Sequence, residues 1–326
     1  MSATSVQATA NAAISPASAN AATATGAPTD TGALADTGAA TARGSSRRGP
    51  LARIAGALKR QPGVALAGVY LVVVALACLV PQLFTSADPI AQDLLMVNQA
   101  PSLEHIAGTD YLGRDLFARI VYGARYSIGI GIAVTLISLF FGAIVGLFAG
   151  TARSRIIDTA FMRAIDVLSS FPSVLLALII VGLTGAGVPN LIVALGVAGI
   201  PTFARMIRAE TKSVVLSEYV EQSITFGLPR WKMLLRHVLP NSLGVIPYMV
   251  TISLGGAIMG VSALSFLGIG PQPPTPEWGT ILAESRNFLR VAWWSGILPG
   301  IVLVLTVISF TVVGRAWQAS FERKDR

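Results

Sequence analysis

Charge is scarce in this sequence: of 326 residues only 12% are Asp, Glu, Lys or Arg, against 53% hydrophobic. A soluble domain carries roughly a quarter of its residues charged, so much of this chain's surface faces something other than water, and lipid is the simplest candidate. Cysteine is nearly absent. The single Cys78 lies in an apolar run, which excludes a disulfide framework. Histidine stops at two, His105 and His237, and there is no His-Glu-x-x-His string to hold a catalytic metal. The Gly-Lys before Ser or Thr that a phosphate-binding loop needs is also missing: Lys59, Lys212, Lys232 and Lys324 follow Leu, Thr, Trp and Arg. The chain is therefore expected to bind no ATP that way and to hold no cofactor of its own. Uphill work would draw on a partner or an ion gradient. A Gly-x-Ser-x-Gly elbow is absent, and no histidine shares the depth of the serines in the apolar runs. Ser253, Ser262 and Thr135 read as helix-packing residues alongside Gly255, Gly256 and Gly260. Catalysis within the chain is not expected.

What is present begins with a tail. Residues 1–50 are dominated by Ala, Thr, Ser, Gly and Pro, too poor in large apolar side chains to offset chain entropy, and are expected to be disordered. This tail lacks the basic start and apolar middle of a secretory signal. Arg47-Arg48 could open a twin-arginine signal, but the apolar run that follows is long and ends in no small-residue cleavage site, so a cytoplasmic basic flank is the better reading. Six apolar runs then approach the roughly 20 residues that cross a bilayer core. They predict helices over about 64–84, 126–150, 158–183, 189–207, 242–267 and 291–314, the third and fourth separated by the turn formers Thr184-Gly185-Ala186-Gly187-Val188-Pro189-Asn190. In lipid every backbone amide must be paired internally, and strand alternation is absent, so the fold class is an all-α membrane protein of six transmembrane helices.

Eighteen of the 24 lysines and arginines fall on one side of this topology and five (Arg114, Arg119, Arg125, Arg286 and Arg290) on the other. That asymmetry places both termini in the cytoplasm. His105 and His237 then lie on opposite faces of the bilayer and cannot share a metal. The basic residues are spread between apolar segments, which favours membrane flanks over nucleic acid as the meaning of the net charge of +8. Arg163 and Asp166, at i and i+3 near the inside end of the third helix, are the charges within a crossing and are spaced to pair, either as an interface pair or as a gate. Proton-coupled transport would want acids at mid-membrane, and none lies between Val167 and Thr306 outside the loops.

Three polar excursions remain: outside over 85–123 and about 268–290, and inside over 208–241. The inside one contains Glu218-Tyr219-Val220-Glu221-Gln222-Ser223-Ile224-Thr225-Phe226-Gly227-Leu228-Pro229-Arg230-Trp231-Lys232 and then His237-Val238-Leu239-Pro240. Gly227 suits the end of one short helix, Pro229 the start of a second, and Pro240 its close where the fifth crossing begins. Tyr219, Ser223 and Phe226 share a face by three- and four-residue spacing, a surface for docking into another protein's groove.

Glu221 and Gly227, with Leu239-Pro240 at the far end, resemble the EAA loop of binding-protein-dependent ABC import permeases. Gln222 and Ser223 replace that loop's two alanines. Outside, Gly108-Thr109-Asp110-Tyr111-Leu112-Gly113-Arg114-Asp115 and Tyr122-Gly123-Ala124-Arg125-Tyr126-Ser127 are similar to the C-type permease of dipeptide, oligopeptide and nickel importers. So are Leu264-Ser265-Phe266-Leu267-Gly268 and Gln272-Pro273-Pro274-Thr275-Pro276-Glu277-Trp278-Gly279. The resemblance spans about 51–317. It implies a type I ABC importer permease domain over 124–315 with a coupling loop at 218–240. The implied partners are a homologous B-type permease, two cytoplasmic ATP-binding subunits and an extracytoplasmic solute-binding protein, working in the inner membrane. The implied cargo is di- or oligopeptide, with nickel, glutathione or an opine as alternatives and a secondary transporter as the remoter one. On this reading Tyr219, Glu221, Gln222, Ser223, Phe226, Gly227, His237, Leu239 and Pro240 couple to the ATPases. Gly108, Thr109, Asp110, Gly113, Arg114, Asp115, Gln272, Pro273, Pro274, Trp278 and Gly279 belong to the binding-protein side.

Overall fold

The structure, a computed structural model, describes residues 62–152, 154–218, 220, 222 and 229–322. Its helices are α1 (Pro62–Leu79), α2 (Leu116–Thr151), α3 (Arg155–Ser169), α4 (Ser173–Thr184), α5 (Val188–Val215), α6 (Arg230–Met233), α7 (Leu239–Ser242), α8 (Ile246–Phe266), α9 (Trp278–Ser285) and α10 (Trp294–Glu322). A π turn, Leu234–Val238, joins α6 to α7. Among the described residues there is no strand, only one isolated bridge between Thr109 and Asp115. Helices α1, α2, α5, α8 and α10 are each long and apolar enough to cross a membrane, and α3 with α4 passes the same test as a pair bent by 84°.

That bend corrects the expected single third helix. Ser169 and Ser170 turn their hydroxyls back to the carbonyls of Ile165 and Asp166, both at 2.9 Å, and Pro172 disfavours helical geometry in the residue before it. An uncharged run conceals this break, because hydropathy does not register a proline that costs the helix a turn. Three other helices are longer than expected, α10 running past Gly314 to Glu322 and two more extending at ends that carry charge. α2 starts at Leu116 rather than Tyr126, since Asp115 caps it by accepting from the Ala118 amide at 2.7 Å. α5 continues past Ile207 to Val215. Both extensions carry arginines or lysines, which is why the apolar runs stopped short of them.

The tightest packing joins α2 to α5. Gly142, Gly146 and Gly150 of α2 face Phe203 with Ala204, Ile207, and Thr211 of α5, and a Cβ at any of the three would press into those atoms. The arrangement is reciprocal: Gly196 and Gly199 of α5 receive Ile137 and Ser138 of α2. Ser138 Oγ also donates to the Gly196 carbonyl at 2.8 Å. In lipid no hydrophobic effect pulls helices together, so small residues that permit close van der Waals contact decide which helices associate. Elsewhere α1 docks on α10 through the Tyr70 hydroxyl, which donates to the Val302 carbonyl at 2.9 Å. α1 leaves Leu66, Val69 and Leu79 exposed, as a lipid-facing helix would.

Gly146→Leu should force the seam apart and cost about 1–3 kcal/mol. The purified variant in detergent should melt well below the parent. Gly129→Leu, where a side chain meets open space, should melt with the parent or above it.

Candidate functional site

Three places gather polar or apolar side chains in a way that a passive helix bundle does not need: a hub in the loops expected on the outer side, a cleft among the crossings, and a hook at the opposite end.

In the outer hub Asp110, Arg114, Arg119 and Glu284 close a buried ring. Arg114 Nε donates to Asp110 Oδ2 at 2.6 Å and its Nη2 to Glu284 Oε1 at 3.1 Å. Arg119 donates to the same two carboxylates, to Glu284 Oε2 at 2.6 Å. Tyr111 adds a hydroxyl bond to Glu284 at 3.0 Å and stacks on Phe288 with ring centroids 4.9 Å apart. Burial alone would lower the Arg114 pKa, but the carboxylates of Asp110 and Glu284 outweigh it and raise it above the ordinary arginine value. Burial, with Glu284 acting in the same sense, likewise raises the Tyr111 phenol. Asp115 both caps α2 and takes His105 Nδ1 at 2.8 Å. Gly108 and Gly113 turn with φ of +75° and +72°, and Gly113 lies against the Asp93 backbone, so neither tolerates a side chain.

The second outer loop is anchored by a buried carboxylate. Glu277 caps α9 by accepting from the Thr280 amide at 2.9 Å, and it takes the Ser127 hydroxyl of α2 at 2.9 Å. Trp278, fully buried, donates from its indole to the Ile120 carbonyl at 2.9 Å. The expected outer-side residues thus divide. Thr109, Asp110, Arg114, Trp278 and Gly279 are buried and hold the loops together, while Gln272, Pro273 and Pro274 are exposed at a loop tip. Arg119, Glu284 and Glu277 were missed by sequence reasoning. Glu284 is 165 residues from Arg119 in the chain, and only the fold brings them together.

The cleft lies among α2, α4, α5 and α8, with a volume of about 310 Å³. Its lining is small and apolar, with hydroxyls of Ser173, Thr202 and Ser253 and the glycines Gly199 and Gly256. Among the described residues no ionisable side chain lines it.

At the opposite end Val220, Met233 and Val238 pack with Val214, binding the returning chain to the end of α5. Gln222 is helical and exposed. His237 and Leu239 are half-buried, and Pro240 is exposed. Tyr219, Glu221, Ser223, Phe226 and Gly227 lie outside the described residues. Pro240 does not close the helix as expected. The π turn before it lets the run continue to Ser242, and the chain turns at Leu243–Val245 before α8.

The expected Arg163–Asp166 pair is also corrected. Asp166 Oδ1 accepts instead from Arg205 Nη2 of α5 at 3.0 Å, whereas Arg163 lines a surface depression with Arg155, Ile156, Thr159 and Ala160. The stronger tie is one that sequence reasoning passed over as a basic flank. Asp158 takes Arg208 through both oxygens, at 2.6 and 2.7 Å, and Lys212 at 2.5 Å. The spacing of Arg205, Arg208 and Lys212, at i, i+3 and i+7, was the available signal.

Comparison with known proteins settles the family. Residues 142–326 match the family described as binding-protein-dependent transport system inner membrane component. The chain belongs to that family. This permease is 38% identical over 226 residues to the dipeptide transport system permease protein of Alkalihalophilus pseudofirmus, covering 69% of this chain and 74% of that one. It is 36% identical over 267 residues to a putative peptide transport system permease protein of Brucella suis biovar 1, covering 82% and 90%. A glutathione transport system permease protein of Pectobacterium atrosepticum is 38% identical over 228 residues, covering 70% and 75%. A crystal structure of an amino acid ABC transporter with histidines superposes with a TM-score of 0.50 at 12% identity, over 62% of this chain and 94% of that chain, which supports the fold. The permease is thus a transport subunit and a multi-pass inner-membrane protein.

Within the permease the outer hub predicts its own test. Glu284→Leu leaves Arg114 and Arg119 buried with one carboxylate between them and should cost about 3–5 kcal/mol. The expected readout is a large fall in melting temperature in detergent, with faster proteolysis of the outer loops. Asp166→Asn, whose side chain is 63% exposed, should barely shift it.

Proposed function

We propose that this chain is the C-type permease of an ATP-driven importer that carries di- or oligopeptides across the inner membrane. The observation that carries the reading is the cleft: a path for peptides of varied sequence should offer small side chains and scattered hydroxyls to the backbone, with no fixed charge that selects one residue type. Relatives named for dipeptide and peptide transport have the same family fold. Glutathione, itself a tripeptide, is the second reading, and the 38%-identical relative named for it favours that one over nickel. A cleft without acids gives no support to proton-coupled secondary transport.

On this proposal the chain binds no nucleotide, and two cytoplasmic ATP-binding subunits supply the energy. A homologous B-type permease completes the path, and an extracytoplasmic binding protein delivers cargo to the outer face, where the exposed tip Gln272-Pro273-Pro274 is available. Both termini are cytoplasmic. The segment from Tyr219 through Glu221, Gln222, Ser223 and Phe226 to Gly227 docks on the ATPases. His237, Leu239 and Pro240 sit on the arm that returns to α8. The two permease halves then rock between inward and outward openings as the ATPases close and part.

The decisive measurement is uptake of radiolabelled dipeptide and of radiolabelled glutathione, each in a strain deleted for the gene and in the restored strain. Dipeptide uptake should depend on the gene; dependence of glutathione alone would move the cargo to the second reading. Glu221→Lys and Gly227→Pro should insert normally and abolish uptake. If either still transports in step with ATP hydrolysis in proteoliposomes, the hook is not the coupling element.

A further inference from the structure

We propose that Asp158 is the point at which movement of the cytoplasmic hook is passed to α3 and so to the Ser173 end of the cleft wall, beside the wall that α5 itself supplies. Gripped by Arg208 and Lys212, it makes α3 follow α5, and α3 carries the α4 wall with it across the bend. The inference rests on the importer reading above and names the residues through which that importer couples.

The path is continuous in the structure. Val220, Met233 and Val238 of the hook pack on Val214 at the end of α5. Lys212 and Arg208 lie within the next two turns of the same helix and hold Asp158 through three bonds. Asp158 is in the first turn of α3, which ends at Ser169. After the 84° bend α4 begins at Ser173, and Ser173 and Val174 line the cleft. A shift of the α5 end therefore has a path to Ser173 through one ion cluster, helix α3 and the bend that follows it.

The tie between α3 and α5 is ionic to an unusual degree. α3 fully buries only Asp158 and Ile165 among its fifteen residues, so apolar packing holds it weakly. α4, by contrast, is fixed to α5 by Ala177 and Val181 against Leu191, Ala194 and Leu195. The two ion pairs on α3 are also unequal. The Arg205–Asp166 pair is exposed at 49% and 63% and holds little. The Asp158 side chain is 11% exposed and accepts the Arg208 fork at both oxygens, a geometry that fixes orientation as well as distance. Pulling on such a fork turns the helix that carries the carboxylate.

The test uses the complete complex, with its partner permease and ATPases, in proteoliposomes with the binding protein, and radiolabelled dialanine and glutathione as probes. Results are normalised to assembled complex. With Asp158→Asn, uptake per ATP hydrolysed should fall by roughly tenfold or more, the range of a typical coupling free energy, while hydrolysis continues. Combining Asp158→Arg with Arg208→Asp should restore most of the ratio, since the reversed pair can close again beside Lys212. Arg208→Lys, which keeps the charge and loses the fork, should fall between. A wild-type ratio in both Asp158→Asn and Arg208→Lys would overturn the proposal. If Asp158→Asn does not assemble, Arg208→Lys and the reversed pair decide it, and a reversed pair that assembles without recovering uptake overturns it as well. A wild-type complex that moves neither probe on ATP removes the importer reading and the clamp together, whereas a competent wild type with unaffected variants removes the clamp alone.

Discussion

The close approach of α2 and α5 is the constraint on which the rest of the structure depends. Five glycines, three on one helix and two on the other, let the two backbones run nearly in contact along most of a crossing. Both functional ends hang from this spine. α2 opens in the outer hub with Arg119, and α5 closes at the hook with Val214. The cleft takes one wall from each, with Thr135 and Ser138 on α2 and Gly199 and Thr202 on α5. A looser pair of helices would let the outer loops, the cleft and the hook drift independently.

The charge clusters at the two ends of this spine differ in how far water reaches them. The outer ring of Asp110, Arg114, Arg119 and Glu284 is sequestered from water, and each guanidinium meets both carboxylates. Rearranging it would strand a charge in a low-dielectric interior, so the outer loops are held as one piece. The Asp158 cluster is different. Arg208 and Lys212 remain partly open to water, at 26% and 39%. Water there can replace a lost partner, which lowers the barrier to sliding.

The helices were legible in the sequence because each crossing is an apolar run of the required length. Polar ends blurred their bounds: the runs stop at Arg125 and Arg208, while α2 and α5 themselves continue to Leu116 and Val215. The bend at Ser169–Pro172 was hidden because hydropathy records composition, and the break is a matter of backbone geometry. The hub was half legible. Gly108 through Asp115 stood out as a string, but its partner Glu284 is an unremarkable acid in a distant loop. The same holds for Asp158, whose meaning depends on an α5 face fifty residues away. Arg163 shows the opposite error, since proximity along the helix suggested a partner that the packing of α3 does not supply.

The length of α2 has a consequence for where the charged ring can sit. Its 36 residues, at a rise of 1.5 Å each, make a rod of about 54 Å, while the hydrocarbon layer is about 30 Å thick. The polar first turns of α2, which hold Arg119 against Asp110 and Glu284, take up part of that surplus. The charged ring therefore need not lie within the hydrocarbon layer, where ionised side chains are costly.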